Sequence, residues 1–364
     1  MEKKELQLIF DQYTGNHKVL SFCNYGGGHI NDTIRVFARS GGREKGYILQ
    51  RINTNVFKQP ELLMDNFKRV TEHLHNKYAA STELRRHRTL DLLPTLSGKP
   101  FAVDNGNYYR VYEYVSGACS SDIMATAENA FQVARAFGNF QKDLVDLPGE
   151  RLQETIPNFH NTPSRFANLE KAIAEDRCGR LKDVMKEVDF AMARKDEAGR
   201  LIELCAQGAY PERITHNDTK LNNILFDDVT GEEVAVIDLD TVMPGLVHYD
   251  FGDMVRTGTS PAAEDEKDLS KVYMRMDFFE GLLKGYLSSA AEFLTPAEKE
   301  ELPFSGKLIT LEIGMRFLTD YLEGDTYFKV HREGHNLDRC RTQIKLVQSI
   351  EEQYDKMMKL LETI

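Results

Sequence analysis

Two short stretches limit what this chain can be more than any other feature. The first is Thr215-His216-Asn217-Asp218-Thr219-Lys220-Leu221-Asn222-Asn223-Ile224-Leu225, and the second, close downstream, is Ile237-Asp238-Leu239-Asp240. A carboxylate, an amide five residues later and a second carboxylate ending the strand-type run Val234-Ala235-Val236-Ile237 put hard oxygen ligands on two successive loops. Phosphoryl transfer asks for this spelling. Its transition state is loose, so a catalyst mainly aligns the acceptor hydroxyl and neutralises the phosphates with metal ions. Asp218 is placed to take or orient the acceptor proton, Asn223 and Asp238 to bind Mg2+, and Lys220 to draw charge from the transferring phosphate. The first stretch alone is a short pattern that arises by chance; joined to the Asp238 strand it becomes specific.

Asp250-Phe251-Gly252 spells the metal-binding triplet of protein kinases, yet it lies well beyond Asp238. For Asp250 and Asp253 the expectation is therefore structural, a buried carboxylate that caps a helix or braces the loop.

With 364 residues the chain has room for about two domains and a large core. A formal net charge of -11 argues against a nucleic-acid partner or an anionic membrane surface. Five scattered cysteines with no Cys-x-x-Cys pair suggest neither a disulfide framework nor a zinc site, and point to a reducing compartment. The start, Met1-Glu2-Lys3-Lys4-Glu5-Leu6, lacks a signal-peptide core, and no apolar run approaches the length of a membrane span, so the expectation is a cytoplasmic protein.

In chain order, a short helix near Leu6–Tyr13 and a strand over Lys18–Asn24 lead to Tyr25-Gly26-Gly27-Gly28-His29-Ile30-Asn31. Glycines between two strands let backbone amides approach phosphate oxygens, so Gly26, Gly27 and Gly28 are nucleotide-binding candidates. His29 and Asn31, at the edge of this turn, are candidates to face either phosphate or acceptor. The strand Tyr47–Ile52 holds Gln50 where a kinase would carry a phosphate-binding Lys. One long helix over Gln59–Lys77 and a hairpin at Asp104-Asn105-Gly106-Asn107 follow. The next strand ends at Glu113, Tyr114 and Val115, whose backbone groups are candidates for the adenine edge, with the hinge at Ser116-Gly117.

Beyond the hinge the pattern is helical, over Thr126–Leu144, Ser164–Ala174, Leu181–Ala206, Leu269–Leu287, Pro296–Tyr321 and Leu337 to the end. Arg316, between Met315 and Phe317, is expected to be partly buried and to pair with an acidic residue or a polar, hydroxylated ligand. The whole predicts an α+β bilobal protein-kinase-like fold. Residues 1–115 would form a small antiparallel-sheet lobe with one long helix, and 116–364 a larger, mainly helical lobe carrying the catalytic loop and acceptor site.

Taken together, the Gly26–Asn31 turn, Tyr47–Gln50, the 215–225 stretch, Ile237–Gly245, Asp250–Asp253 and the segment from Gly314 through Tyr327 resemble the N-acetylhexosamine 1-kinases of the aminoglycoside phosphotransferase and choline kinase superfamily. The likeness runs from about residue 20 to 350. It implies transfer of the γ-phosphate of ATP, with magnesium, to the anomeric hydroxyl of GlcNAc or GalNAc. It further implies that Asp218 serves the sugar hydroxyl and that His29, Asn31, Arg316 and Tyr327 line the sugar pocket. Gln50 is what such sequences carry in place of the strand Lys, whereas Gly27 departs from an acidic residue expected there. ATP and an amino sugar are the implied partners. The rival readings are a kinase of the same superfamily for glucosamine, homoserine or methylthioribose, and a nucleotide-binding protein without turnover.

Overall fold

The structure is a computed structural model that describes residues 2–26, 30–82, 84, 86–121 and 123–364. In chain order it opens with α1 (Lys3–Phe10), β1 (Lys18–Asn24), β2 (Asp32–Ser40), β3 (Arg43–Ile52) and α2 (Pro60–Ala80). Then come β4 (Ala102–Asp104), β5 (Asn107–Glu113), β6 (Ala118–Cys119), α3 (Ala127–Leu144), α4 (Thr162–Glu175), α5 (Met185–Met192) and α6 (Arg200–Ala206). The loop-bearing stretch contributes β7 (Arg213–Thr215), β8 (Ile224–Asp227), β9 (Glu233–Val236) and β10 (Met243–Gly245). The chain finishes with α7 (Val247–Gly258), α8 (Met276–Ala290), α9 (Pro296–Glu300), α10 (Leu302–Glu323) and α11 (His335–Thr363).

Two compact units result. The first gathers Met1–Ser120, Asp146–Pro157 and Ile224–Met243, and the second Ser121–Val145, Asn158–Asn223 and Pro244–Ile364.

The first unit is built on a five-stranded antiparallel sheet in the order β1-β2-β3-β5-β4. Its register follows from period-two alternation: Ile34, Leu49 and Val111 are cross-strand neighbours on one face, packed with Leu6, Ile9 and Phe10 of α1. The other face carries Thr33, Gln50 and Arg110 in one row across three strands. Asn105 and Gly106 both have positive φ, 47° and 76°, so the Asn-Gly pair makes the hairpin turn its spelling calls for. A second sheet, β6-β8-β9, belongs to the same unit.

The second unit is helical. α3 starts at a capping box in which Thr126 accepts from Asn129 N. α10 is apolar almost all round, with 17 residues buried, which makes it the element the rest pack upon. Phe166, Leu169, Val188, Leu201, Leu308 and Leu318 share its core.

Three helical expectations need correction. Leu181–Ala206 is not one helix but α5 and α6 with two short 3-10 turns, because its apolar residues reach different parts of one core. The segment from Leu269 begins as a 3-10 turn over Leu269–Lys271, and α8 starts only at Met276. The helix expected over Pro296–Tyr321 is interrupted at Glu301, where Pro303 in the first turn restarts it as α10.

Candidate active site

In the second unit, β7 delivers the chain into a tight loop in which Asn217 has φ of 65°. This left-handed turn is held by side chains that the local sequence does not supply. The buried carboxylate of Asp250, in the first turn of α7, accepts hydrogen bonds from the backbone N–H of His216 at 2.9 Å and of Asn217 at 2.7 Å. Gln141 Nε2 donates to the same carboxylate at 2.6 Å, and Thr219 Oγ1 donates to the Asp250 carbonyl at 2.6 Å. The Asp-Phe-Gly spelling is thus helical, and its carboxylate is a brace. Burial pushes the Asp250 carboxyl above its ordinary range, with the loop N–H groups and His216 acting the other way. His216 is itself buried, edge-on to Phe137 and Phe140.

A second brace comes from His160. It hydrogen-bonds the Asn217 carbonyl at 3.3 Å through Nε2 and the buried Glu312 of α10 at 2.9 Å through Nδ1, while Thr162 Oγ1 donates to the other Glu312 oxygen at 2.7 Å. Neither His160 nor Glu312 had a sequence signal. Both are single residues in ordinary surroundings, joined across about 150 residues of chain.

So fixed, the loop presents Asp218 with both oxygens engaged. Lys220 Nζ donates to Oδ1 at 2.6 Å, and Asn223 Nδ2 donates to Oδ2 at 3.2 Å and to the Asp218 carbonyl at 2.8 Å. Burial would raise the Asp218 carboxyl, but Lys220 first, then His216 and Arg256, outweigh it and hold the group below its ordinary range. Asp218 therefore keeps its charge at neutral pH. Lys220 is held above its ordinary range by Asp218 against the opposing effect of burial, with Asp253 contributing. Arg256 in turn holds Asp253 Oδ1 at 2.8 Å.

Arg316 on α10 lies in an aromatic surround, its guanidinium 5.3 Å from the Phe159 ring, 5.5 Å from Phe328 and 5.8 Å from Tyr327. Asp320 explains how Tyr327 and Phe328 get there. After α10 ends at Gly324 with φ of 97°, the Asp320 carboxylate accepts from the backbone N–H of Thr326, Tyr327 and Phe328 at 2.7–2.9 Å, folding the segment back. Arg165 Nη2 donates to the Phe159 carbonyl at 2.6 Å, and burial, then Arg316, pushes its own pKa down. Because Phe159 adjoins His160, which bonds the loop, the Arg316 surround and Asp218 are joined by a continuous run of contacts.

In the first unit, β9 ends at Val236, and two residues on Asp238, with φ of 59°, turns the chain into a 3-10 segment over Leu239–Thr241. Asp240 in that segment pairs with Arg110 of β5, and its other oxygen accepts from Asn31 Nδ2. Gln50 bonds Thr33 Oγ1 at 3.0 Å and accepts from Arg110 Nε at 2.8 Å. Gly26 has a left-handed φ of 75° with open space around it; Gly27, Gly28 and His29 lie outside the described residues. At the end of β5, the N–H of Glu113 and of Tyr114 already bond Asp91 and Gly46. The Tyr114 ring stacks on Arg35 at 3.8 Å. Among the described residues no group of three or more His, Cys, Asp or Glu side chains is set to hold a metal ion by itself, and no helix is long and apolar enough to cross a membrane.

An antiparallel sheet unit, a helical unit and a loop that fixes one charged carboxylate beside a lysine and an amide define a small-molecule phosphotransferase. Comparison with known proteins agrees: residues 22–290 match the phosphotransferase enzyme family, and the chain belongs to it. Among solved structures the fold is similar to an aminoglycoside phosphotransferase from Alicyclobacillus acidocaldarius subsp. acidocaldarius DSM 446. That match has 11% identity and a TM-score of 0.60, covering 98% of this chain and 96% of the other. It is also similar to an amicoumacin kinase in complex with AMP-PNP and Ca2+, at 15% identity and a TM-score of 0.57, covering 97% and 93%. A third is a microcompartment-associated aminopropanol kinase, at 17% identity and a TM-score of 0.55, covering 98% and 99%.

Proposed function

We propose that this protein transfers the γ-phosphoryl group of ATP to the anomeric hydroxyl of an N-acetylhexosamine, GlcNAc or GalNAc, releasing the sugar 1-phosphate. The observation that carries the acceptor side is the Arg316 surround. A guanidinium with no carboxylate within ion-pair distance among the described residues, its Nη2 3.5 Å from the Tyr327 hydroxyl and ringed by Phe159, Tyr327 and Phe328, offers donors to sugar oxygens and apolar faces to the ring. Its run of contacts to the loop, through Phe159 and His160, supports this reading.

Asp218 acts by orientation. A carboxylate held below its ordinary range is a weak base, but it accepts a hydrogen bond from the incoming hydroxyl and aims its oxygen, which is what a loose transition state requires. Lys220 then faces the transferring phosphoryl group and stabilises the charge that develops on it. Asn223, whose Nδ2 is used by Asp218, has its amide oxygen for magnesium, and Asp238 supplies a carboxylate. One amide and one carboxylate oxygen suit Mg2+, which is normally bound through one or two protein oxygens together with substrate phosphates and water. Magnesium bound there would neutralise phosphate charge. Gly26, Gly27, Gly28 and Gln50 are assigned to the nucleotide phosphates. At the purine, the Glu113 carbonyl and Val115 N–H serve the adenine edge, since the N–H groups of Glu113 and Tyr114 are already taken. The resemblance assigns His29, Asn31 and Tyr327 to the sugar as well.

The test is turnover on a panel of GlcNAc, GalNAc, glucosamine, homoserine and methylthioribose, with the product's phosphate placed by NMR. Phosphorylation of another acceptor with both N-acetylhexosamines ignored, or a phosphate on an exocyclic hydroxyl, refutes the proposal. Asp218→Asn should lower kcat by orders of magnitude while nucleotide affinity stays within about twofold.

A further inference from the structure

The strand that would carry a phosphate-binding cation carries Gln50 instead. Directly across from it on β5 is Arg110, 1% exposed, on the same face of the sheet. An arginine so buried does not act as a freely moving phosphate ligand, and its bonds show where its charge is spent. Nε donates to Gln50 Oε1 at 2.8 Å, Nη1 pairs with Asp240 Oδ1, and the guanidinium lies 4.4 Å from the Phe67 ring of α2. Asp240 Oδ2 accepts from Asn31, whose Oδ1 accepts from Asn53 N at 3.0 Å. The same short loop is tied twice more through its backbone. Thr155 Oγ1 donates to the Asp240 carbonyl at 2.9 Å, and Asn66 Nδ2 to the Val242 carbonyl at 3.1 Å.

We propose that the Arg110–Asp240 pair is a positioning device: it holds the loop that carries Asp238 and, through Asn31, the end of the glycine-rich turn in one fixed register. The inference rests on the reading of Asp238 as a magnesium ligand. It explains why two carboxylates two residues apart do not repel the nucleotide together. Arg110 cancels the charge of Asp240. It also explains how Gln50 is compatible with phosphate binding, since the cation missing from β3 sits one strand away and works through the metal-ligand loop.

Energetics make the idea testable. Breaking one partner of a buried ion pair is strongly destabilising, whereas replacing both by apolar residues of similar size is often neutral or stabilising. A pair kept only as core filling should therefore be replaceable without functional loss. The experiment compares the parent, the double variant Arg110→Met/Asp240→Leu and the single variant Arg110→Lys. It reads melting temperature, affinity for MgATP and for metal-free ADP by calorimetry, kcat and both KM values, and hydrogen exchange at Asn31–Thr33.

The double variant should melt close to the parent yet lose MgATP affinity by between about 10- and 100-fold, the cost of an ångström-scale misplacement. Its metal-free ADP affinity should change much less, and exchange at Asn31–Thr33 should speed up. Arg110→Lys keeps the charge and should recover part of the loss. Parent-like MgATP affinity and exchange in the double variant would overturn the proposal. If that variant fails to fold, Arg110→Lys decides on the same two readouts. Nucleotide binding and exchange are independent of the acceptor, so failure of the sugar panel refutes the proposed function and leaves the positioning role of the pair standing.

Discussion

Asp250→Asn probes the brace under the loop that carries Asp218 with nearly no change of shape. In the parent, Oδ2 accepts from Gln141 and His216 N, and Oδ1 from Asn217 N. An asparagine has one acceptor oxygen, so an NH2 group must face at least one backbone N–H, and a hydrogen bond to a charged acceptor is lost with a buried donor left unpaired. Each such bond contributes about 1.5–3 kcal/mol. Removing a buried charge that burial already disfavours returns part of this, since the Asp250 carboxyl is held above its ordinary range. The net cost should be about 2–3 kcal/mol, which at roughly 2–4 °C per kcal/mol for a unit of this size lowers the melting temperature by on the order of 8 °C. Because the bonds lost belong to the residues just before Asp218, kcat should fall at least about tenfold while KM for ATP moves little. Differential scanning calorimetry and initial-rate kinetics on one preparation measure both. A variant that melts within a degree of the parent and keeps its kcat would refute the claim that Asp250 sets the loop.

Lys220→Met should cut kcat by about 10²- to 10³-fold, as for loss of one preorganised charge-stabilising donor, with the fold intact by circular dichroism. Gly252→Ala should destabilise the helical unit by at least about 1–3 kcal/mol in denaturant titrations, because its Cβ would come within 2.5 Å of the Ser305 carbonyl on α10. His248, whose Nε2 donates to the Glu298 carbonyl at 2.9 Å while Nδ1 is buried without a partner among the described residues, is pushed down by burial to about 4. It is neutral in the folded state and protonates near 6.5 when unfolded, so its contribution is present above pH 6.5 and lost as pH falls toward 4, amounting to about 3 kcal/mol. His248→Gln should flatten the fall of melting temperature over that window, and an unchanged slope would show that His248 plays no part in it.

Much of the fold was written locally. β1 occupies the expected Lys18–Asn24, the Asn105-Gly106 turn has the backbone its spelling demands, and Thr126 caps α3 where the helical pattern begins. Failures came where packing overrides pattern. Nothing near Val184 or Ala193 announces that the 181–206 stretch will break, whereas Pro303 did mark the restart of α10 and should have divided Pro296–Tyr321. At the loop, Asp218, Lys220 and Asn223 were legible because one short stretch carries all three. The groups that hold it, Gln141, His160 and Glu312, were not, because each belongs to a distant helix or connection and nothing local marks it. Arg110 looked like one more residue of an alternating strand, and its partner stands 130 residues away.

That separation has a consequence for the protein as it is made. The sheet of the first unit is written within the opening third of the chain, yet Arg110 has no counter-charge, and β6 no neighbouring strand, until the 224–243 segment exists. At roughly 5–20 residues per second, a ribosome needs on the order of ten seconds to supply it. Throughout that interval the emerging chain carries a cation in a place meant to be dry. A fragment cut at Ser116-Gly117 would carry it permanently, and should be sought in inclusion bodies rather than used as a miniature nucleotide binder.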